Sequence, residues 1–175
     1  MKKFFLLTAF AVFGLASAQE GFKLGAHIGV PTTGNSDFTL GLDAAYRWNL
    51  AKGFDLGVAT GYSHYIAKSY DSPGYGSFKG EDFGFIPVAV SGKYSFSGAP
   101  IAVGLDLGYG ISTNDNVNGG LYALPKFMYN MPVGELYVGY QSISGKYDRG
   151  YYDDHPGIGK ETVGAVIVGF NFNLK

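Results

Sequence analysis

Residues 101–112 read IAVGLDLGYGIS. Ile101, Val103, Leu105, Leu107, Tyr109 and Ile111 hold the odd positions; Ala102, Gly104, Asp106, Gly108, Gly110 and Ser112 hold the even ones. Successive side chains of a β-strand point to opposite faces, so a period of two predicts a strand. One face of it is oily throughout. The other is almost bare, apart from the carboxylate of Asp106.

Seven more segments carry the same alternation: Phe22–Val30, Phe38–Trp48, Phe54–Ile66, Phe83–Phe96, Gly120–Asn130, Glu135–Ile143 and Thr162–Leu174. Most are close to the roughly 9–11 residues that a tilted strand needs to cross a bilayer. Their connections alternate in length. NLAKG, SGAP and MPVG are short, whereas PTTGNS, KSYDSPGYGSFKGED, TNDNVNGG and SGKYDRGYYDDHPGIGK are longer. Short turns at one end and long loops at the other are the pattern of an up-and-down barrel in a membrane, with both termini on the short-turn side.

The N-terminus points the same way. Lys2 and Lys3 precede an apolar run from Phe4 to Leu15, and Ala16-Ser17-Ala18 supplies small residues for a peptidase. These are the parts of a secretory signal, too short for a membrane helix. Cleavage is expected after Ala18, giving residues 1–18 as signal peptide and 19–175 as one barrel domain. Only 15% of the chain is charged, against ~25% in soluble domains, while aromatics reach 17% and glycines number 28. The net charge of −1 becomes more negative once Lys2 and Lys3 are removed, so nucleic acid is not an expected partner. With no cysteine, disulfides and thiolate metal sites are excluded.

Hairpin closure gives an internal check. Closing NLAKG with Trp48 opposite Phe54 sets Tyr46 against Leu56 and Arg47 against Asp55. Closing SGAP sets Tyr94 against Val103 and Ser91 against Asp106, and closing MPVG sets Tyr129 against Leu136 and Asn130 against Glu135. Oily residues then meet oily ones, which a one-residue slip would destroy.

The face opposite the oily one collects Lys23, His27, Asp43, Arg47, Asp55, Lys93, Asp106, Lys126 and Glu135. An eight-stranded barrel is just wide enough for its side chains to fill, so these read as a paired internal charge network with a structural role. Arg47 with Asp55, and Lys93 with Asp106, are the expected pairs. On the oily face Phe22, Tyr46, Trp48, Phe54, Tyr94, Phe96, Tyr129 and Phe172 lie toward the short turns, and Tyr62, Tyr109 and Tyr140 toward the loops. They read as two aromatic girdles at headgroup level. Pro87 and Pro125 interrupt strands, and each predicts a bulge or strand end.

Candidates for chemistry are few. Asp153-Asp154-His155, with Asp148, reads as an acidic loop tip in preference to a metal site, and no cofactor is expected. Ser63-His64 pairs a nucleophile with a base, but neighbours in a strand face opposite ways. The loops carry Tyr65, Tyr70, Tyr75, Phe78, Tyr147, Tyr151 and Tyr152 among Gly, Ser and Asp, a contact-making composition.

FIPVAVSGKYSF at 85–96, LPK in the sixth segment and the closing VGFNFNLK, together with the signal peptide, resemble the small outer-membrane β-barrel domain family of Gram-negative bacteria, in the form found in the Bacteroidetes lineage. The resemblance implies an eight-stranded all-β barrel in the cell outer membrane, surrounded by lipid and lipopolysaccharide. It also implies insertion by the outer-membrane assembly machinery, which reads a last strand bearing Phe170, Phe172 and Leu174. The expected function is non-enzymatic: a monomeric envelope protein whose loops 68–82 and 144–160 meet external partners. Two alternatives remain. One is a lipid-modifying barrel enzyme using His64 and a serine. The other is a soluble lipocalin-like barrel, which would turn Leu105 and Leu107 inward.

Overall fold

A computed structural model describes residues 21–33, 36–72, 76–114, 118–147 and 159–174. The signal segment, Ala18 and the Asp148, Asp153, Asp154 and His155 group lie outside the described residues. Ten strands follow one another: β1 Phe22–Pro31, β2 Ser36–Ala51, β3 Phe54–Ala67, β4 Ser69–Ser72, β5 Gly76–Lys79, β6 Phe83–Ser95, β7 Ile101–Ser112, β8 Gly120–Met131, β9 Gly134–Tyr147 and β10 Gly159–Asn173. Eight of them form a closed antiparallel barrel in the order β1-β10-β9-β8-β7-β6-β3-β2, and β4 and β5 make a separate hairpin within the long third connection. Sequence neighbours are barrel neighbours, and β1 closes on β10. Closure matters physically, because it leaves no strand edge with unpaired N–H and C=O groups.

The opening stretch is β7 with its ends unchanged. Its odd residues from Val103 to Ile111 are exposed, Ile101 is half-buried, and Ala102, Asp106 and Gly110 are buried inside. Leu105 and Leu107 are 47% and 48% exposed, which overturns the lipocalin-like alternative. Gly104 leaves room for Met128, whose Sδ lies 3.1 Å from where a Cβ would stand, and Gly110 does the same for Ile143 at 3.3 Å.

The β6–β7 and β8–β9 hairpins keep the expected registers, including Ser91 opposite Asp106 and Asn130 opposite Glu135. The β2–β3 hairpin differs. Its strands run on to Ala51 and Phe54, with Gly53 at φ +81° in a tight turn. A bulge between Asn49 and Ala51 then sets the register. Trp48 faces Leu56, and Arg47 faces Gly57. Because the displacement is two residues, every side chain keeps its face while changing its partner.

Pro87 and Pro125 produce no register shift. The β3–β6 ladder is interrupted between Thr60↔Val88 and Ser63↔Phe85, and the β8–β9 ladder between Ala123↔Ser142 and Lys126↔Gly139; each resumes in register. On the other side of each proline, Pro87↔Gly110 and Leu105↔Pro125 pairing is unbroken. A strand residue bonds to one neighbour only, so a missing N–H weakens one ladder and spares the other. The Thr60 hydroxyl donates to the Pro87 carbonyl at 2.8 Å, compensating part of the gap.

Candidate functional site

The lumen is filled in layers. At the short-turn end Glu135, at the start of β9, gathers three cations from three other strands. Lys93 Nζ lies 2.6 Å from Oε1, Arg47 Nη1 2.9 Å from Oε2, and Lys23 Nζ 3.2 Å from Oε1. Each cation has a neutral partner too. Lys93 donates to Asn130 Oδ1 at 2.7 Å, Arg47 Nε to Ser91 Oγ at 3.0 Å, and Lys23 to Asn173 Oδ1 at 2.5 Å. These bonds answer the cost of burying charge away from water. The expected Arg47–Asp55 pair is not formed. Asp55 is half-buried at the rim and accepts from Asn49 Nδ2 at 2.8 Å, because the bulged hairpin carries Arg47 past it.

The next layer holds the remaining acids. Lys126 Nζ meets Asp106 Oδ2 at 2.6 Å, so the cation paired with Asp106 comes from β8 and not from Lys93 on β6. Asp43 accepts from Tyr137 Oη at 2.5 Å and lies 3.0 Å from His27 Nδ1. The far ring nitrogen, Nε2, is 3.2 Å from Ser63 Oγ, which accepts from Gln141 Nε2 at 2.9 Å. Tyr65 then donates to Gln141 Oε1 at 3.1 Å. Tyr65, expected in a loop, is fully buried in β3.

Ser63, His27 and Asp43 thus stand in the order of a nucleophile, base and orienting acid. Their surroundings do not suit that chemistry. Ser63 and His27 are buried, and neither lines the small cavity beside Asp43 and Asp106. Gln141 Nε2 already donates to the hydroxyl oxygen, and Tyr65 holds the Gln141 amide in turn. The arrangement is a satisfied core network.

Above it, toward the loops, lies a feature the alternation did not announce: an apolar plug. Tyr65 stacks on Phe83 with centroids 5.1 Å apart, and Phe85 meets both edge-on at 6.0 and 5.8 Å. Ile143 and Ile167 complete it. The signal was present in the inward parity of Phe83, Phe85, Ile143 and Ile167, read there only as a place for charges.

The outer face is the inverse. Leu24, Leu42, Val58, Val90, Leu107, Phe127, Val138 and Val168 are exposed around it, one from each barrel strand. Of the ring residues assigned to girdles, Trp48, Phe54, Tyr62, Tyr94, Phe96, Tyr109, Tyr129, Tyr140 and Phe172 are exposed, and Tyr46 is half-buried edge-on against Trp48 at 4.8 Å. Polar contacts appear on this face toward the loops, with Tyr140 Oη 3.1 Å from Thr32 Oγ1 and Ser144 Oγ 2.9 Å from Thr162 Oγ1. His64 is there as well. Its Nδ1 is 3.0 Å from Tyr62 Oη and its Nε2 4.0 Å from Asp82 Oδ2, while Ser63 faces the lumen.

Fold and lumen together define a small, closed, eight-stranded antiparallel barrel of the outer-membrane type, polar inside and apolar outside. Among solved structures, Neisserial surface protein A (NspA) superposes over 88% of this chain and 97% of its own, with a TM-score of 0.50 and 20% identity. The Yersinia pestis outer membrane protein Ail, determined in a phospholipid bilayer nanodisc, is matched over 87% of this chain and all of its own, with a TM-score of 0.48 and 14% identity. The likeness to NspA is one of fold. No family model matches the chain, and no curated protein matches it by sequence.

Proposed function

We propose that this chain is an integral outer-membrane protein without catalytic activity, whose barrel anchors long loops at the cell surface. The observation that carries the reading is the continuous exposed apolar face around a lumen of paired charges. In water such a face would be an aggregation surface, whereas hydrocarbon satisfies it. The signal-like N-terminus, with cleavage after Ala18, and the name of NspA as a surface protein support export and display. The short-turn end, where both chain ends of the domain meet, is then periplasmic. Lipid and lipopolysaccharide surround the belt, the assembly machinery inserts the monomer, and loops 68–82 and 144–160 meet external partners. Among the described residues His64 meets Tyr62 and Asp82 and no serine, so the two read as packing at the outer rim.

Cell fractionation with gel mobility tests the reading. Unheated protein from the outer-membrane fraction should migrate apart from boiled protein. Recovery as a soluble periplasmic species would refute it.

A further inference from the structure

Asp43 stands at the head of a chain of side chains that runs into the apolar plug. Its carboxylate, on β2, lies 3.0 Å from His27 Nδ1 on β1, and His27 Nε2 lies 3.2 Å from Ser63 Oγ on β3. Gln141 Nε2 on β9 is 2.9 Å from the same oxygen, and Tyr65 Oη on β3 is 3.1 Å from Gln141 Oε1. Tyr65 in turn stacks on Phe83. His27, Ser63, Tyr65 and Gln141 are all buried, so bulk solvent offers them no alternative partners. Counting hydrogens fixes each link. A carboxylate only accepts and a neutral imidazole carries one hydrogen, so Nδ1 holds it. Nε2 is then a bare acceptor and takes the Ser63 hydrogen. The Ser63 oxygen, its own hydrogen used, accepts from the Gln141 amide nitrogen. That turns Oε1 toward Tyr65, whose hydroxyl donates to it.

We propose that the chain is a one-way hydrogen-bond relay by which the Asp43 carboxylate sets the Tyr65 hydroxyl in the plug. The opposite direction is well formed in the middle, with Nε2–H donating to Ser63, Ser63 to Gln141 Oε1, and the Gln141 amide nitrogen to Tyr65. The Tyr122 hydroxyl, which also meets the Gln141 side chain, suits either amide orientation because a hydroxyl both donates and accepts. The reversed chain fails only at its ends. His27 Nδ1 would aim a lone pair at a carboxylate 3.0 Å away, and the Tyr65 hydrogen would lose its acceptor within a cluster that includes Phe83, Phe85, Ile143 and Ile167. An element with two arrangements, biased at both ends, couples those ends. The hydrogen-bonding character of residue 43 and the seating of Tyr65 against Phe83 are thereby linked across four strands. The relay lies wholly in the lumen and is independent of what surrounds the barrel.

Magnetic resonance of the nitrogen-15-labelled, detergent-refolded protein tests the relay, since through-bond couplings of the imidazole distinguish a ring nitrogen bearing hydrogen from a bare one. The chain holds three histidines, and His64→Gln and His155→Gln identify the signals of the other two. At neutral pH His27 should show hydrogen on Nδ1 and none on Nε2; hydrogen on Nε2, alone or in addition, would overturn the proposal. Asp43→Asn supplies an amide able to donate to Nδ1, which releases the direction of the chain. Hydrogen on Nε2 should then appear, and the Tyr65 ring resonances should shift. In a Ser63→Ala background the chain is cut, and Asp43→Asn should leave Tyr65 unmoved. A Tyr65 shift of equal size with and without Ser63 would refute the relay, as would no shift in Asp43→Asn alone. Should the variants fail to fold, the ring nitrogens of the unmodified protein decide by themselves.

Discussion

Glu135→Ala gives the sharpest test of the lumen network. The substitution removes the carboxylate that, among the described residues, Lys23, Arg47 and Lys93 all contact, at 3.2, 2.9 and 2.6 Å. Breaking a buried ion pair by deleting one partner costs about 3–5 kcal/mol, mostly through the charge left stranded. Three cations are stranded here, and Lys23 is the one with an outlet, its side chain being 15% exposed against 3% for Arg47. The expected loss is therefore at the upper end, about 4–5 kcal/mol. Glu135→Gln retains an acceptor and should cost less, about 2–3 kcal/mol, the range of a hydrogen bond to a charged group. Trp48 is the single tryptophan and sits on the exposed belt, so its fluorescence reports unfolding in urea from phospholipid vesicles. Because the penalty resides in stranded charge, Arg47→Met in the Glu135→Ala background should recover part of the lost stability. A Glu135→Ala loss below about 1 kcal/mol, or strict additivity of the double variant, would refute the reasoning.

Arg47→Ala should destabilise the barrel far more than Lys52→Ala or Asp55→Ala in the same urea assay, since Lys52 sits exposed in a turn and Asp55 meets only Asn49 at the rim. Leu105→Arg places a charge on the apolar belt and should cost about 2–4 kcal/mol if Leu105 lies near the bilayer midplane, against little for Leu105→Ala; equal effects of the two would count against a lipid-facing Leu105. Gly169→Ala should lose about 1–3 kcal/mol by overpacking, because a Cβ there would come within 2.5 Å of the Tyr137 ring and displace its hydroxyl from Asp43. Unchanged stability of that variant would mean that Tyr137 is not held as described.

The amino-acid sequence by itself determined the eight barrel strands and the face of nearly every side chain in them, but not the β4–β5 hairpin. In β7 the period of two is local, and a chain of alternating Leu and Gly has one solution once one side meets an apolar surroundings. It also determined that the charges lie inside, because they share a parity. Partnership was decided elsewhere. Arg47 and Glu135 are 88 positions apart on strands that are not neighbours in the barrel, and only the stagger that closes eight strands brings them together across the lumen. The bulge at Asn49–Ala51 shifted Arg47 away from Asp55 without moving it off its face, a change invisible to parity. The same closure brought Lys126, in place of Lys93, to Asp106. It also packed Tyr65, Phe85, Ile143 and Ile167 into an apolar plug and left a small cavity lined in part by Asp43 and Asp106. Alternation is a property of two adjacent residues, whereas a cross-lumen contact belongs to the whole closed sheet.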